Sequence, residues 1–291
     1  VIVLVPNGKT ELLGLFGGEL DQSPSPATHS AWAEQLNLNW VYLPLPCQSE
    51  DHFLSLATQL MSSRLFRGAN ITNPFKSSAL KLPHVHFDSS VKKCGAANTL
   101  YQVITPQGSS QWRLANTDLD GCLSALRLIF QSKLESGFAN RHVQVVILGR
   151  GAMMKTYSAA LELFFENKSD KPDIEIWGRE ELTHPCWQEK GKTEDAPVML
   201  LINTLPCGTS DEADRSAVQA LLALNSKFQS SRRIFLDVGY LDSQARKTAR
   251  RLNWHCHGGE GLFDTQARAS FKLWTGFDAP NLPAALPQSA E

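Results

Sequence analysis

The sequence predicts an α/β protein of two domains, and three observations predict it. The chain has 291 residues, long enough for two separate cores. Short apolar runs alternate with segments of helical spacing through both halves. The clearest run, Val143-Gln144-Val145-Val146-Ile147-Leu148, is nearly all apolar, as a strand buried on both faces of a parallel sheet must be.

Residues 11–16 (ELLGLF) read as a short buried strand, residues 17–26 as a loop and residues 28–36 as a helix. A second strand follows at residues 40–45. Residues 53–66 have helical spacing, with Leu54, Leu56, Leu60, Met61 and Leu65 on or near one face. Residues 69–72 form a third short strand that runs into Pro74. Residues 97–105 and 112–115 pair around the turn at Gln107-Gly108-Ser109. In the second half, residues 120–134 and 152–166 are helices on either side of the strand at 143–148. Further strands are expected at 173–177, 198–202 and 234–238, then an amphipathic helix at 265–274 and a loose end at 280–287. Strand, helix and strand at this spacing predict a parallel sheet with right-handed crossovers. The boundary between the halves is expected near residues 118–141. The polar stretch 188–196 reads as a surface loop, the segment most inclined to disorder.

Lys and Arg number 28 against 29 Asp and Glu, a formal net charge of −1. That balance points away from nucleic acid and from anionic membranes, so an anionic ligand needs a local site. The six cysteines, Cys47, Cys94, Cys122, Cys186, Cys207 and Cys256, form no CxxC pair, which favours reduced thiols in the cytoplasm over a disulfide framework. The apolar opening Val1-Ile2-Val3-Leu4-Val5 is too short for a signal-peptide core or a membrane span.

Two polar segments carry the chemistry: Asn70-Ile71-Thr72-Asn73-Pro74-Phe75-Lys76 and Asn116-Thr117-Asp118, with Gly95-Ala96-Ala97-Asn98-Thr99 between them. A Lys and an Asp brought together form a proton-transfer pair, each favouring the charged form of the other. Asn and Thr around them suit the hydroxyls of a small polar substrate. Alone, Lys76 reads as a solvated charge and Asp118 as a helix N-cap. Gly149-Arg150-Gly151 follows the buried strand and opens a helix, as a dinucleotide turn does, but the third glycine position holds Met154. On that turn alone, a nucleotide site and an ordinary strand–helix turn stand level. After the next strand, Arg179 could pair with the 2′-phosphate of NADP, while Glu180 and Glu181 would repel it. Ser23-Pro24-Ser25-Pro26, read by itself, is a loop. His255-Cys256-His257 and His84-Val85-His86 lack partner pairs at zinc spacing, so no metal site is expected. Neither GxSxG nor HExxH occurs.

Together these segments resemble the shikimate dehydrogenase family across almost the whole chain. Ser23-Pro24-Ser25-Pro26 with His29 is similar to its SxSP…H segment, which implies that Ser23 and Ser25 bind the substrate carboxylate. Residues 70–76 resemble NxTxPxK, which makes Lys76 the catalytic lysine and Thr72 a substrate contact. Residues 95–99 resemble GAxNT and place Asn98 on the ring hydroxyls. Asn116-Thr117-Asp118 with Gly121 resembles NTDxxG, so Asp118 becomes the partner of Lys76. Residues 202–208 resemble INATPxG, residues 237–240 resemble DxxY, and Gly261 to Ala267 resembles GxxMLxxQA. Tyr240 and Gln266 are thereby implied in substrate binding. Gly149, Arg150, Gly151, Ala152, Arg179, Asn203, Thr204 and Gly261 are implied at the cofactor. Met154, Glu180, Thr204-Leu205 and Asn73 depart from the pattern, mostly on the cofactor side.

The resemblance implies an N-terminal α/β substrate domain, residues 1–118 with 261–291, and a Rossmann-type dinucleotide-binding domain, residues 119–260. The C-terminal helix returns to the first domain, and the active site is expected where the two domains meet. The implied activity is NADP-dependent interconversion of 3-dehydroshikimate and shikimate, in the cytoplasmic pathway to aromatic amino acids. Its competitors are an NAD-preferring quinate/shikimate dehydrogenase, a non-catalytic paralogue that binds a shikimate-like ligand, and, last, an unrelated Rossmann-like protein. Oligomeric state is left open.

Overall fold

The computed structural model describes residues 6–105, 107–135, 142–168, 171–178, 198–208, 210–228, 232–239 and 242–281. The chain divides into two compact units, one from residues up to 119 together with 265 onward, the other from residues 120–264. The polar stretch 188–196, the tail beyond residue 281, Arg179 and Tyr240 lie outside the described residues. Among the described residues, no helix is long and apolar enough to cross a membrane.

The first unit opens with β1 (Glu11–Gly17), α1 (Ser25–Gln35), β2 (Trp40–Pro46), α2 (Glu50–Met61) and β3 (Phe66–Ile71). Helix α1 starts earlier than the sequence predicts, because Pro26 fits the first turn, where no N–H is required. Ser49 caps α2 by accepting from the His52 amide, and Glu50 and Asp51 complement the helix dipole. That helix stops at Met61, short of the expected residue 66. The Ser62 hydroxyl turns back onto the Gln59 carbonyl, and Phe66, fully buried, already belongs to β3. A 3-10 turn (Ser78–Lys81), β4 (Val85–Phe87) and α3 (Ser89–Cys94) follow, none of them foreseen. Then come the hairpin β5 (Thr99–Ile104) and β6 (Ser110–Ala115).

These strands form one mixed sheet in the order β2-β1-β3-β5-β6-β4. β2 and β3 run parallel to β1, while β5 runs antiparallel to both β3 and β6. The reversal of β5 matters most for the site. It brings the end of β3, the start of β5 and the end of β6 to one edge of the sheet. The register aligns Leu15, Asn70, Thr99 and Ala115 in one row across four strands. The three polar segments read from the sequence leave the sheet at that row.

The second unit contains α4 (Asp118–Glu135, whose first two residues fall in the first unit), β7 (Val143–Leu148), α5 (Ala152–Phe165), β8 (Asp173–Trp177) and β9 (Val198–Asn203). After these come α6 (Asp211–Lys227), β10 (Arg233–Asp237), α7 (Gln244–Arg251), β11 (His255–His257) and the start of α8 (Glu260–Thr275). The sheet is wholly parallel, in the order β11-β10-β9-β7-β8. Its two central strands are almost sealed from water, as their unbroken apolar runs require. From β7 the chain steps outward to β8, then returns across to β9, so the winding reverses between β7 and β9. Ligands of open α/β sheets bind beyond the strand ends at such a reversal.

From residue 265 onward α8 belongs to the first unit, so the C-terminal helix does return there. Phe271 is fully buried, and the Trp274 indole N–H donates to the Leu100 carbonyl of β5 at 2.9 Å. Gly68 of β3 makes room for this. A Cβ on Gly68 would meet the Leu100 carbonyl oxygen and sit 2.5 Å from Trp274 Nε1. Gly68→Ala is therefore expected to lower unfolding free energy by about 3 kcal/mol. Chemical denaturation followed by Trp fluorescence measures it, and a loss below about 1 kcal/mol would contradict this packing.

Candidate active site

Lys76 Nζ lies 2.7 Å from Asp118 Oδ2. Lys76 keeps 14% of its side chain exposed and Asp118 only 5%, so water screens the pair little. Backbone bonds set both residues. The Ala97 amide donates to the Lys76 carbonyl at 2.9 Å, and the Asn116 side chain donates to the Ala96 carbonyl at 3.0 Å. The loop 95–98 thus ties the lysine segment to the aspartate segment. Asn73–Pro74, just before Lys76, is a cis peptide. Asp118 stands at the start of α4, yet its carboxylate reaches the lysine, so the role of a simple cap does not describe it.

Asn98 directly precedes Thr99 of the row, and its amide donates to the Ala115 carbonyl at 3.1 Å. Its Oδ1 accepts from the Thr117 amide at 2.7 Å and from the Thr99 and Thr117 hydroxyls at 3.1 Å. Its Nδ2 therefore faces outward and donates to Gln266 Oε1 at 3.3 Å. Asn70 is buried behind them, accepting from Tyr42 at 2.8 Å and donating to Ser270 at 2.9 Å. The Thr72 backbone amide donates to the Phe16 carbonyl, and its side chain is half-buried. Ser25 is buried in the first turn of α1, and its amide donates to the half-buried Ser23 hydroxyl at 3.3 Å. A helix start with two hydroxyls is a fitting place for a carboxylate.

His29 packs four residues further along α1 and is wholly enclosed. Tyr42 stacks on it at 4.6 Å and Phe271 at 6.4 Å, with the edges of Trp32 and Trp274 at 5.2 Å. Burial pulls its pKa down to about 3, the neighbouring Asn70 side chain opposing in part. Neither ring nitrogen reaches a partner in good hydrogen-bond geometry, so burial decides.

In the second unit, a cavity of about 510 Å³ opens at the winding reversal. Leu148, Gly149, Arg150, Trp177, Gly178, Leu205, Pro206 and the start of α6 line it. Gly149 has φ +113°, and a Cβ there would sit 2.5 Å from Thr204 Oγ1, so only glycine fits. Gly151 is exposed, and α5 begins at Ala152 with no side-chain cap from Gly151. The Thr204 hydroxyl donates to the Leu148 carbonyl at 2.8 Å, which occupies it with the sheet end. Asn203 stands at the end of β9. It is fully buried, and its amide donates to Asp237 Oδ1 at 3.1 Å and to Cys207 Sγ at 3.2 Å. Its side chain shapes the loop rather than facing the cavity. Gly261 is exposed in the first turn of α8. His255 and His257 lie on the edge strand β11, and among the described residues no three His, Cys, Asp or Glu gather to hold a metal ion.

Sequence reasoning missed a buried network beside Asn203. Asp237 accepts from Ser243 at 2.9 Å, Arg246 Nε stands 3.7 Å from Asp237 Oδ2, and Arg246 reaches the Gly239 carbonyl at 2.6 Å and Glu260 at 3.1 Å. It also missed Ser270, although Ser270 follows Gln266 by four residues on one helix face.

Residues 15–100 match the family described as shikimate dehydrogenase substrate binding domain. A Microcystis aeruginosa protein named shikimate dehydrogenase (NADP(+)) is 30% identical over 227 residues, 73% of each chain. The chain belongs to the shikimate dehydrogenase family. Among solved structures, the shikimate dehydrogenase of Aquifex aeolicus superposes with a TM-score of 0.67 at 19% identity, covering 95% of this chain and 96% of that one. The Listeria monocytogenes shikimate 5-dehydrogenase, solved with shikimate and NAD, gives 0.61 at 18% identity, with 96% of each chain covered. Those two likenesses establish the shared fold, an α/β substrate domain joined to a Rossmann-type domain.

The enclosed His29 yields a stability prediction. The unfolded chain takes up a proton near pH 6.5, while the folded chain resists until about 3. Stability is therefore lost as pH falls through that window, by up to roughly 1.4 kcal/mol per pH unit. Denaturation of wild type and His29→Phe across the window checks it. The wild type is expected to lose stability more steeply, and parallel curves would refute the assignment.

Proposed function

We propose that the chain interconverts 3-dehydroshikimate and shikimate with NADP(H). The first unit would hold the substrate and the second the cofactor. The observation that carries the reading is the enclosed Lys76–Asp118 pair at 2.7 Å, supported by the buried, mutually bonded amides of Asn98 and Gln266 in the same unit. NADP(H), when bound, supplies or accepts the hydride. Gly149, Arg150, Gly151 and Ala152 at the start of α5, with Thr204 and Gly261, are the described residues assigned to it. Arg179 is assigned to its 2′-phosphate.

In the reducing direction, Lys76 gives a proton to the carbonyl oxygen as negative charge grows there. Asp118, 2.7 Å from the lysine nitrogen, keeps it aimed until that moment and then stays beside the amine that has given up its proton. Ser23 and Ser25 hold the carboxylate at the start of α1. Thr72, Asn98, Asp118 and Gln266 hold the hydroxyls, and Tyr240 is assigned to the substrate from its motif alone. Orientation supplies much of the rate, because the ring must offer one face and one oxygen. A competing reading is an NAD-preferring enzyme that also takes quinate. It is favoured by Glu212, the one carboxylate among the described residues that line the cavity, which suits a ribose diol better than a phosphate.

Lys76→Ala is expected to lower kcat by about 10²- to 10⁴-fold while the shikimate dissociation constant stays within about fivefold. Asp118→Asn, which keeps the shape and removes the charge, is expected to lower kcat in the same direction. Steady-state kinetics and calorimetry measure both, with thermal unfolding to verify the fold. Unchanged turnover in Lys76→Ala would remove the lysine from the mechanism.

A further inference from the structure

Ser270 of α8 is fully buried. Its hydroxyl stands at the meeting point of three strand ends. Asn70 Nδ2 donates to it at 2.9 Å, and the Thr99 and Thr117 hydroxyls lie at 3.2 and 3.1 Å. Its own proton goes to the Gln266 carbonyl, one helical turn back, at 2.9 Å.

We propose that Ser270 is a positioning residue, which holds Gln266 in register with Asn98 and so sets how tightly the ring substrate is bound. The proposal rests on the substrate reading above.

Counting protons shows why this hydroxyl is needed. Ser270 has given its proton to Gln266, so toward the strands its oxygen only accepts. Asn98 Oδ1 has two lone pairs, and the Thr117 amide takes one. The Thr99 and Thr117 hydroxyls, 3.2 Å from each other, share the second Asn98 lone pair and the Ser270 oxygen. Asn70 Nδ2 donates to Ser270 at 2.9 Å, a shorter contact than those to Thr99 Oγ1 and the Asn98 carbonyl at 3.3 Å. The closed network fixes Asn98 with its nitrogen outward. Gln266 must then present its oxygen to Asn98 and its own nitrogen away from it. Both amides offer donors to whatever binds, which suits hydroxyl and carbonyl oxygens. At 3.3 Å the Asn98–Gln266 bond is long, so it cannot set the helix position by itself. Ser270 and the Trp274–Leu100 bond pin α8 to the sheet on either side of that need. Of the two, only Ser270 is one turn from Gln266 and bonded to its carbonyl.

Without Ser270, Asn70 Nδ2 loses its shortest acceptor and is left with contacts of 3.3 Å to Thr99 Oγ1 and the Asn98 carbonyl, while the Thr99 and Thr117 hydroxyls are left with Asn98 and each other in a dry site. The helix turn carrying Gln266 is then free to shift away from Asn98. Ser270→Ala is expected to raise KM for shikimate about tenfold, with kcat and the KM for NADP+ changed less than about twofold. A purely structural role would instead lower the active fraction, reducing kcat and leaving both KM values. Ser270→Cys keeps the size with a weaker hydrogen bond and is expected to fall between, so the claim survives a poorly folding Ala variant. In a Gln266→Ala background, Ser270→Ala is expected to add less than about twofold, because the route through Gln266 is already gone. Full additivity, or an unchanged shikimate KM in Ser270→Ala, overturns the proposal. A wild-type chain that neither turns over nor binds shikimate overturns the reading of function instead. The Ser270 claim is then decided by nitrogen-15 NMR of the Gln266 side-chain amide. A signal that is shifted or broadened in Ser270→Ala supports it, and coincident signals overturn it.

Discussion

Everything in the first unit depends on one strand running the wrong way. β5 enters the sheet antiparallel between β3 and β6, so its first residue, Thr99, sits level with Asn70 near the end of β3 and with Ala115, the last residue of β6. Three segments far apart in sequence leave the sheet at one row, and their backbones are cross-linked there. The Ile71 amide donates to the Asn98 carbonyl and the Asn98 amide to the Ala115 carbonyl. A parallel β5 would send Asn98 to the opposite edge, and the lysine and aspartate would lose the loop that spaces them.

That edge is polar and almost dry, which is costly unless each group is matched. The solution is a closed set of short side chains, Asn70, Asn98, Thr99, Thr117 and Ser270, in which most protons have a stated acceptor. Such a set stiffens the site, because no member can turn without leaving another unsatisfied. Aromatic packing around His29 and Phe271 backs the set with a rigid wall, and the return of α8 completes it. Substrate hydroxyls would then meet donors whose direction is already decided, so little ordering is left to binding.

Legibility in the sequence followed burial. Strands with unbroken apolar runs, such as β7 and β9, were readable because both faces are covered. Helix α6 was passed over although Ala217, Ala220, Leu221 and Leu224 repeat at helical spacing, since small alanines weaken the apolar signal. Helix α7 was illegible for a firmer reason: QARKTARR buries little more than Ala245 and Ala249 of its apolar side chains. The short elements between residues 78 and 94 carry almost no periodicity at all. At the site, Lys76 and Asp118 could be named from their segments, but not their 2.7 Å approach, which comes from strand register. Asn203 could likewise be named from its motif, but its rotamer could not, because the buried Asp237 accepts from its amide. The NADP or NAD choice stays hard to read for a related reason: Arg179 and Glu180 stand side by side with opposite preferences.

The most direct measurement of the central claim is nicotinamide absorbance when the purified chain is mixed with shikimate and NADP+, with NAD+ and quinate in parallel. The account predicts reduction of NADP+ that requires shikimate and is faster than with quinate or NAD+. Shikimate bound with no reduction of either cofactor would contradict it, leaving the enclosed lysine–aspartate pair without a reaction to serve.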